Sequence, residues 1–394
     1  MKSAKSQVAL LALCQATAMT TNTVLVTVAA LIGYALATDK ALATVPLAMR
    51  QVATMATTIP ASLLMQRIGR RGGFLVGSLV GLMGSGIGIY SLIIAHFWLF
   101  TLATTLLGVS NSFVGYYRFA AADVADDGFR SQAISWVLAG GIIAAILGPW
   151  VANGSKGWFD SDLYVGALAA ILALQALSSL LLLRLQIPLT TAEHNSQDSR
   201  PLANIIGQPK FLVATLGSTV SYGVMVFVMT ATPLAMAVES HSFGQTASVI
   251  QWHVIGMFGP SLITGWLIKR LGVLQIIVTG AVLNLGCMGL NLAGTSFWHF
   301  ATALFLLGLG WNFMYVGSTT LLTETYSPAE KGRVQAIHDF VVFSFVALVT
   351  FLSGRIFYRF DWTILNQMSW PLVLFTLLVV VWLQQKRLHS QRMG

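Results

Sequence analysis

The chain alternates long apolar runs with short polar joints. Twelve such runs, near 8–36, 41–66, 73–94, 98–121, 131–153, 162–186, 211–238, 244–268, 274–294, 298–325, 333–358 and 367–385, each hold about the 20 mainly apolar residues that an α-helix needs to cross a bilayer. The pattern predicts an all-α membrane protein of twelve transmembrane helices. The first run follows Lys2 and Lys5, but it is about twice the length of a signal-peptide apolar core and continues to Tyr34, so it is expected to remain as a span. One long polar stretch, 187–210, with Glu193, His194, Asn195 and Asp198, divides six runs from six. The expected organisation is an N-terminal six-helix bundle over 1–190, a cytoplasmic linker over 191–209 and a C-terminal six-helix bundle over 210–394.

Composition agrees with that pattern. Only 9% of the 394 residues are charged and 56% are hydrophobic, against about a quarter charged in a soluble domain. Such a chain cannot build a water-facing surface, which excludes a soluble enzyme and a disordered segment. The net charge of +9 is a topology signal and not a nucleic-acid footprint. With the N-terminus inside, 16 of the Lys and Arg residues fall at cytoplasmic helix ends and 4 outside, while Arg50 and Arg118 lie within spans. Both termini are therefore expected in the cytoplasm. Cys14 and Cys287 are far apart and supply neither a disulfide framework nor a paired-thiol site.

The halves repeat each other. Leu106-Leu107-Gly108 recurs as Leu306-Leu307-Gly308, and Arg130-Ser-Gln132-Ala133-Ile134 as Arg333-Val-Gln335-Ala336-Ile337. The Gln66-Arg67-Ile-Gly69 corner recurs as Lys269-Arg270-Leu-Gly272. Parallel six-span repeats of this kind predict two bundles facing each other across a central path.

Ser62-Leu-Leu-Met-Gln66-Arg67-Ile-Gly69-Arg70-Arg71 resembles the signature loop between helices 2 and 3 of the major facilitator superfamily, and Gly140-Gly141 with Gly148-Pro149 resembles its glycine–proline motif in helix 5. The resemblance covers essentially the whole chain and implies the major facilitator fold. Two positions depart from the pattern: Gln66 stands where the signature has an acid, and Thr104 near where an arginine is expected. Proton-driven antiport usually relies on those groups. Asp123 and Arg130, opposite Arg67, Arg70 and Arg71, read as a cytoplasmic gate latch. Arg50, Arg118, Glu324, His338 and Asp339 are candidates for a proton or polar path.

Four soft or borderline donors carry the chemistry. Met225 and Met229 are four apart in the seventh run, and His253 and Met257 four apart in the eighth, so each pair shares one helix face. Thioether sulfur is a neutral ligand that prefers Cu(I), and imidazole accepts copper in either oxidation state. Methionine also fills irregular helix interfaces, so spacing alone leaves a packing role open. The paired motifs, with 28 residues from Met225 to His253, are similar to those of CcoA-type copper importers, as are Tyr117-Arg118-Phe-Ala-Ala-Ala-Asp123, Gln251-Trp252-His253 and Gly310-Trp311-Asn312-Phe313.

That resemblance implies a bacterial inner-membrane protein that imports copper by alternating access and supplies cytochrome oxidase assembly. Copper would be the cargo, with no prosthetic group. The expected partners are the lipid bilayer and periplasmic or cytoplasmic copper carriers, with no nucleic acid, and the protein is expected to act as a monomer. Two other readings stay open at this point: a proton-coupled exporter of small amphipathic compounds, and a non-transporting copper-binding membrane factor.

Overall fold

The computed structural model describes residues 4–125, 130–159, 163–187, 200–327 and 330–393. Fourteen α-helices are assigned among them, in two compact units. The first unit comprises 1–192 together with 242–251, and the second 193–241 together with 252–394. Of the expected linker 191–209, the part before 200 lies outside the described residues.

The first unit holds α1 (Ala4–Leu36), α2 (Val45–Ile93), α3 (Phe97–Val114), α4 (Tyr117–Val124), α5 (Arg130–Ser155) and α6 (Val165–Leu183). The corner expected between the second and third apolar runs is tight: the 49 residues of α2 are two helical rods that meet at a kink at Gly69, whose φ of 80° and ψ of 162° leave the helical region. The rods before and after the break, 45–68 and 70–93, are each roughly 36 Å long at a rise of about 1.5 Å per residue, enough for a bilayer core. Glycines allow the close crossings in this unit. A Cβ on Gly148 would lie 2.5 Å from the Thr23 Cβ, and one on Gly140 2.8 Å from the Ala16 nitrogen, so α5 lies directly against α1. At one end Phe74 meets Tyr117 edge to face with ring centroids 4.8 Å apart, in a core shared with Leu11, Phe113 and Leu182.

The second unit holds α7 (Leu202–Ile206), α8 (Pro209–Val238), α10 (Ser261–Leu271), α11 (Val273–Ala293), α12 (Phe297–Thr323), α13 (Lys331–Phe360) and α14 (Trp362–Met393), while α9 (Phe243–Phe258) is divided between the units at Trp252. The span expected over 244–268 is two helices. Gly259 and Pro260 separate α9 from α10, because proline has no N–H to continue the ladder. Buried asparagines link helices in this unit: Asn291 Nδ2 donates to Asn366 Oδ1 at 2.8 Å, and Asn284 Nδ2 to Met314 Sδ at 3.4 Å. Among the described residues, nine helical stretches are long and apolar enough to cross a membrane; one of them, Lys40–Ile93, is the 54-residue stretch that contains both rods of α2.

Ion pairs tie helix ends within the second unit. Glu324 accepts from Lys210 at 3.0 Å and Arg387 at 2.9 Å. Arg200 grips Glu330 with Nε to Oε1 and Nη2 to Oε2, both at 2.8 Å, and its backbone N–H adds a third bond to Oε1 at 2.9 Å. The Arg200 guanidinium, aided by the Ser327 N–H, holds the Glu330 carboxyl well below the usual carboxylate range.

Two outcomes are expected for the folded protein in detergent. At Gly272, with φ of 91° and open space around a Cβ, Gly272→Ala should destabilise by about 1–3 kcal/mol through backbone strain alone. Gly265→Ala, in a helix and also in open space, should be neutral or stabilising by up to about 1 kcal/mol; thermal unfolding compares the two. Because the Glu330 pKa is depressed on folding, its contribution is full above the ordinary carboxylate pKa and falls away on acidification. The unfolding midpoint of the wild type should therefore drop more steeply below about pH 4 than that of Glu330→Gln.

Candidate functional site

The break between α9 and α10 sets the geometry. One face of α12 carries Leu304, Gly308 and Asn312 at successive turns, and each acts on α9. A Cβ on Gly308 would lie 2.3 Å from the His253 carbonyl oxygen, so the two backbones touch there. One turn earlier, the Leu304 carbonyl lies 2.8 Å from His253 Nδ1. One turn later, Asn312 Nδ2 donates to the Met257 carbonyl at 2.7 Å and to Ser261 Oγ at 2.6 Å, while its Oδ1 accepts from Thr264 at 2.6 Å. Asn312 thus pairs a carbonyl at the interruption of the helix ladder and secures both sides of the break. Broken helices whose backbone is paired in this way are where transporters build binding sites.

His253 is 0% exposed. A carbonyl can only accept, so Nδ1 carries the proton and Nε2 presents its lone pair. Nε2 is buried and has no hydrogen-bond partner in the protein. A histidine held by a backbone carbonyl on one nitrogen with the other bare is the arrangement of a metal ligand, and it suits equally an N–H or O–H donor on an organic molecule. Met257, one turn on, is 8% exposed.

On α8, Met225 is 3% exposed and Met229 is half-buried. Tyr222, three residues before Met225, shares their face. Its ring meets Trp311, Tyr315 and Phe343 edge to face at centroid distances of 5.6, 5.4 and 5.7 Å, and Trp311 stacks on Tyr315 at 5.1 Å. This nest joins α8, α12 and α13. Apolar run length and donor spacing pass over Tyr222, Tyr315, Phe343 and the Gly259-Pro260 break; the spacings Tyr222-x-x-Met225 and Trp311-x-x-x-Tyr315 are the signals that the chain offers. Met225 and Met229 lie on α8, which packs on α12, α13 and α14, and His253 and Met257 lie on α9. Among the described residues there is no group of three or more His, Cys, Asp or Glu able to hold a metal, so a metal here would rest on thioethers and one imidazole.

The other sequence-predicted residues divide. Of the three arginines expected opposite Asp123, Arg70 pairs with it at 3.0 Å, while Arg67 is exposed. Arg71 donates to the Leu183 carbonyl at 2.7 Å. These contacts all fall inside the first unit, where they join α2 to α4 and to the end of α6. Arg130 opens α5, but its side chain lies outside the described residues. Gly148 and Pro149 are buried within α5, where Gly148 faces Thr23. Of the polar-path candidates, Arg118 is exposed beneath the Phe119 ring at 4.8 Å, and Glu324 is occupied by two cations. His338 is buried with Nδ1 3.0 Å from the exposed Asp339 carboxylate. Arg50 lines a cavity of the first unit.

The chain matches the Major Facilitator Superfamily model over residues 11–350. It is 35% identical over 382 residues to the riboflavin transporter RfnT of Brucella anthropi, covering 96% of both chains. It is also 30% identical over 374 residues to the uncharacterized MFS-type transporter YdeG of Bacillus subtilis, covering 91% of this chain and 87% of that one. Among solved structures, a point mutant of the nucleoside transporter NupG superposes with a TM-score of 0.74 at 15% identity, over 96% of this chain and 99% of that one. The human organic anion transporter MFSD10 (TETRAN) superposes with a TM-score of 0.68 at 13% identity, over 96% and 100%. These structural likenesses establish the fold, and the sequence matches establish a multi-pass secondary transporter and not an enzyme. The chain belongs to the major facilitator superfamily.

Proposed function

We propose that this protein imports copper across the bacterial inner membrane, with Met225, Met229, His253 and Met257 as the transient ligands. The observation that carries the reading is the bare, buried Nε2 of His253, fixed as a lone-pair donor by Leu304 and one turn from a buried thioether at a paired helix break. The two spaced motifs and their likeness to copper importers support the same cargo. The chain would cross twelve times, with two crossings in α2 and one in α9 with α10, in halves 1–190 and 210–394 with both termini cytoplasmic. It would act as a monomer, take copper from a periplasmic carrier and release it for cytochrome oxidase assembly.

The ligand set suggests the direction. Thioethers and a neutral imidazole cancel none of the charge on Cu(I). An inside-negative potential of about 100 mV then favours inward movement by about 2.3 kcal/mol. Neutral donors also release the ion where thiolates would trap it. Gln66 and Thr104 replace the groups that proton-coupled antiport relies on, which weighs against the exporter reading.

A second reading has its own support. RfnT is named a riboflavin transporter and is similar over nearly the whole chain. The Tyr222–Trp311–Tyr315–Phe343 nest could stack a planar ring, with His253 Nε2 accepting an N–H.

Proteoliposomes separate the readings. With radiolabelled copper under reducing conditions, the wild type should accumulate copper, and His253→Ala and Met225→Ala should lose at least about tenfold of the rate while remaining folded by size exclusion. Gly308→Ala should also lose uptake, because its methyl would enter the space of the His253 carbonyl. Riboflavin flux without copper flux would replace copper with the second reading. Stoichiometric copper binding without flux would leave a metal-holding factor, and flux of neither would remove both cargoes.

A further inference from the structure

Residues 242–251 belong to the first unit, yet the chain enters them from the second unit at His241 and leaves them into the second unit at Trp252. No peptide bond therefore fixes this piece to the rest of its unit, and non-covalent contacts must hold it there. Phe243 makes two of them. Its ring meets that of Tyr164 with centroids 5.1 Å apart, and Lys156 Nζ stands 4.9 Å from its centre. Beside it, a Cβ on Gly244 would lie 3.6 Å from Asn153 Oδ1, in ordinary contact. Phe243 is thus seated between the residue that follows α5 and the residue that precedes α6. Tyr164 takes a left-handed backbone there, with φ of 60° and ψ of 29°, a conformation that a bulky residue keeps only where its surroundings fix it.

The piece is also built to move as a body. Ser242 Oγ accepts from the Gln245 N–H at 3.2 Å, and Gln245 Oε1 accepts from the Ser242 N–H at 2.9 Å. This reciprocal cap pairs two N–H groups at the start of α9 without help from the rest of the first unit. Thr246 Oγ1 and Ser248 Oγ donate back to their own helix, to the carbonyls of Ser242 and Gly244 at 3.3 and 2.9 Å. These polar groups are satisfied locally, so lifting the piece off Phe243's seat leaves them paired. At the far end, His253 lies two residues beyond the piece on the same helix. It is 0% exposed, so a cargo reaches its Nε2 only after something moves.

We propose that Phe243 is the clasp of a strap, residues 242–251, that leaves its seat between Lys156 and Tyr164 and returns to it in each transport cycle. Resting on the reading of His253 as the group that meets the cargo, the departure of the strap uncovers that imidazole, for a metal or an organic cargo alike. Ring–ring and cation–ring contacts suit the task, because they are individually weak and hold no hydrogen-bond geometry that must be rebuilt. A continuous helix carries the displacement over the roughly three turns from Phe243 to His253.

The test uses the full-length protein in detergent and in proteoliposomes. Cys14 and Cys287 are both buried, so an added cysteine can be followed with fluorescein maleimide. Ala247 is one turn after Phe243 on the same face and is 3% exposed. Ala247→Cys should label slowly compared with the same protein unfolded in dodecyl sulfate. Adding Phe243→Ala should speed that labelling at least about tenfold, because the clasp is gone. Adding Lys156→Met, which keeps the bulk and removes the charge, should speed it by a smaller factor, and it decides if Phe243→Ala does not fold. Separately, Asn153→Cys with Gly244→Cys should cross-link under diamide. In proteoliposomes the oxidised pair should carry the wild type's cargo, copper or riboflavin, at least about tenfold more slowly, with the rate restored by reduction. Labelling unchanged in the folded clasp variants, no cross-link in the folded double variant, or full flux in the oxidised pair would overturn the strap. Flux of neither cargo, with the labelling differences intact, would remove the cargo readings of His253 and leave the strap standing.

Discussion

The hydrogen bond from His253 Nδ1 to the Leu304 carbonyl, made at a fully buried residue, sets the geometry of the candidate site in the second unit. A helix carbonyl has two lone pairs and its own ladder uses one, so α12 can spend the other on a neighbour, provided the backbones come close. Gly308 provides that approach. Once the bond is made, the imidazole has one tautomer and one orientation, and its remaining nitrogen is a lone pair in a buried place. Asn312, two turns along the same face, pairs the Met257 carbonyl where α9 stops. The stripe of α12 thereby positions an imidazole and steadies a helix break.

The first unit uses the same crossing for a different chemistry. Gly108 lies against Arg50 as Gly308 lies against His253, yet the helix that carries Arg50 continues unbroken to Gly69, and Thr54 Oγ1 donates to the Gly108 carbonyl at 2.9 Å. The duplicated crossing thus carries a cation at one point and a neutral imidazole at the equivalent one. Close approach constrains only backbone and glycine, so the functional side chain was free to diverge.

Near the helix ends, charge is spent on fastening. Arg70 holds Asp123, Arg200 holds Glu330, and Lys210 and Arg387 share Glu324. Each pair joins helix ends inside one unit. Within the charge cluster that reads along the chain as a gate latch, Arg70 and Asp123 form an ion pair between α2 and α4.

The chain's own pattern determined the fold class, the internal repeat and the two spaced donor pairs, because apolar run length and i, i+4 spacing are local properties that a bilayer and a helix translate directly into geometry. Tertiary structure alone decided that Gly259-Pro260 ends α9 with a side chain from α12 pairing the freed carbonyl, that His253 Nε2 is bare, and that Arg50 lines a cavity. Those outcomes depend on which backbone atoms approach across helices far apart in sequence, and neither hydropathy nor spacing along one helix carries that information.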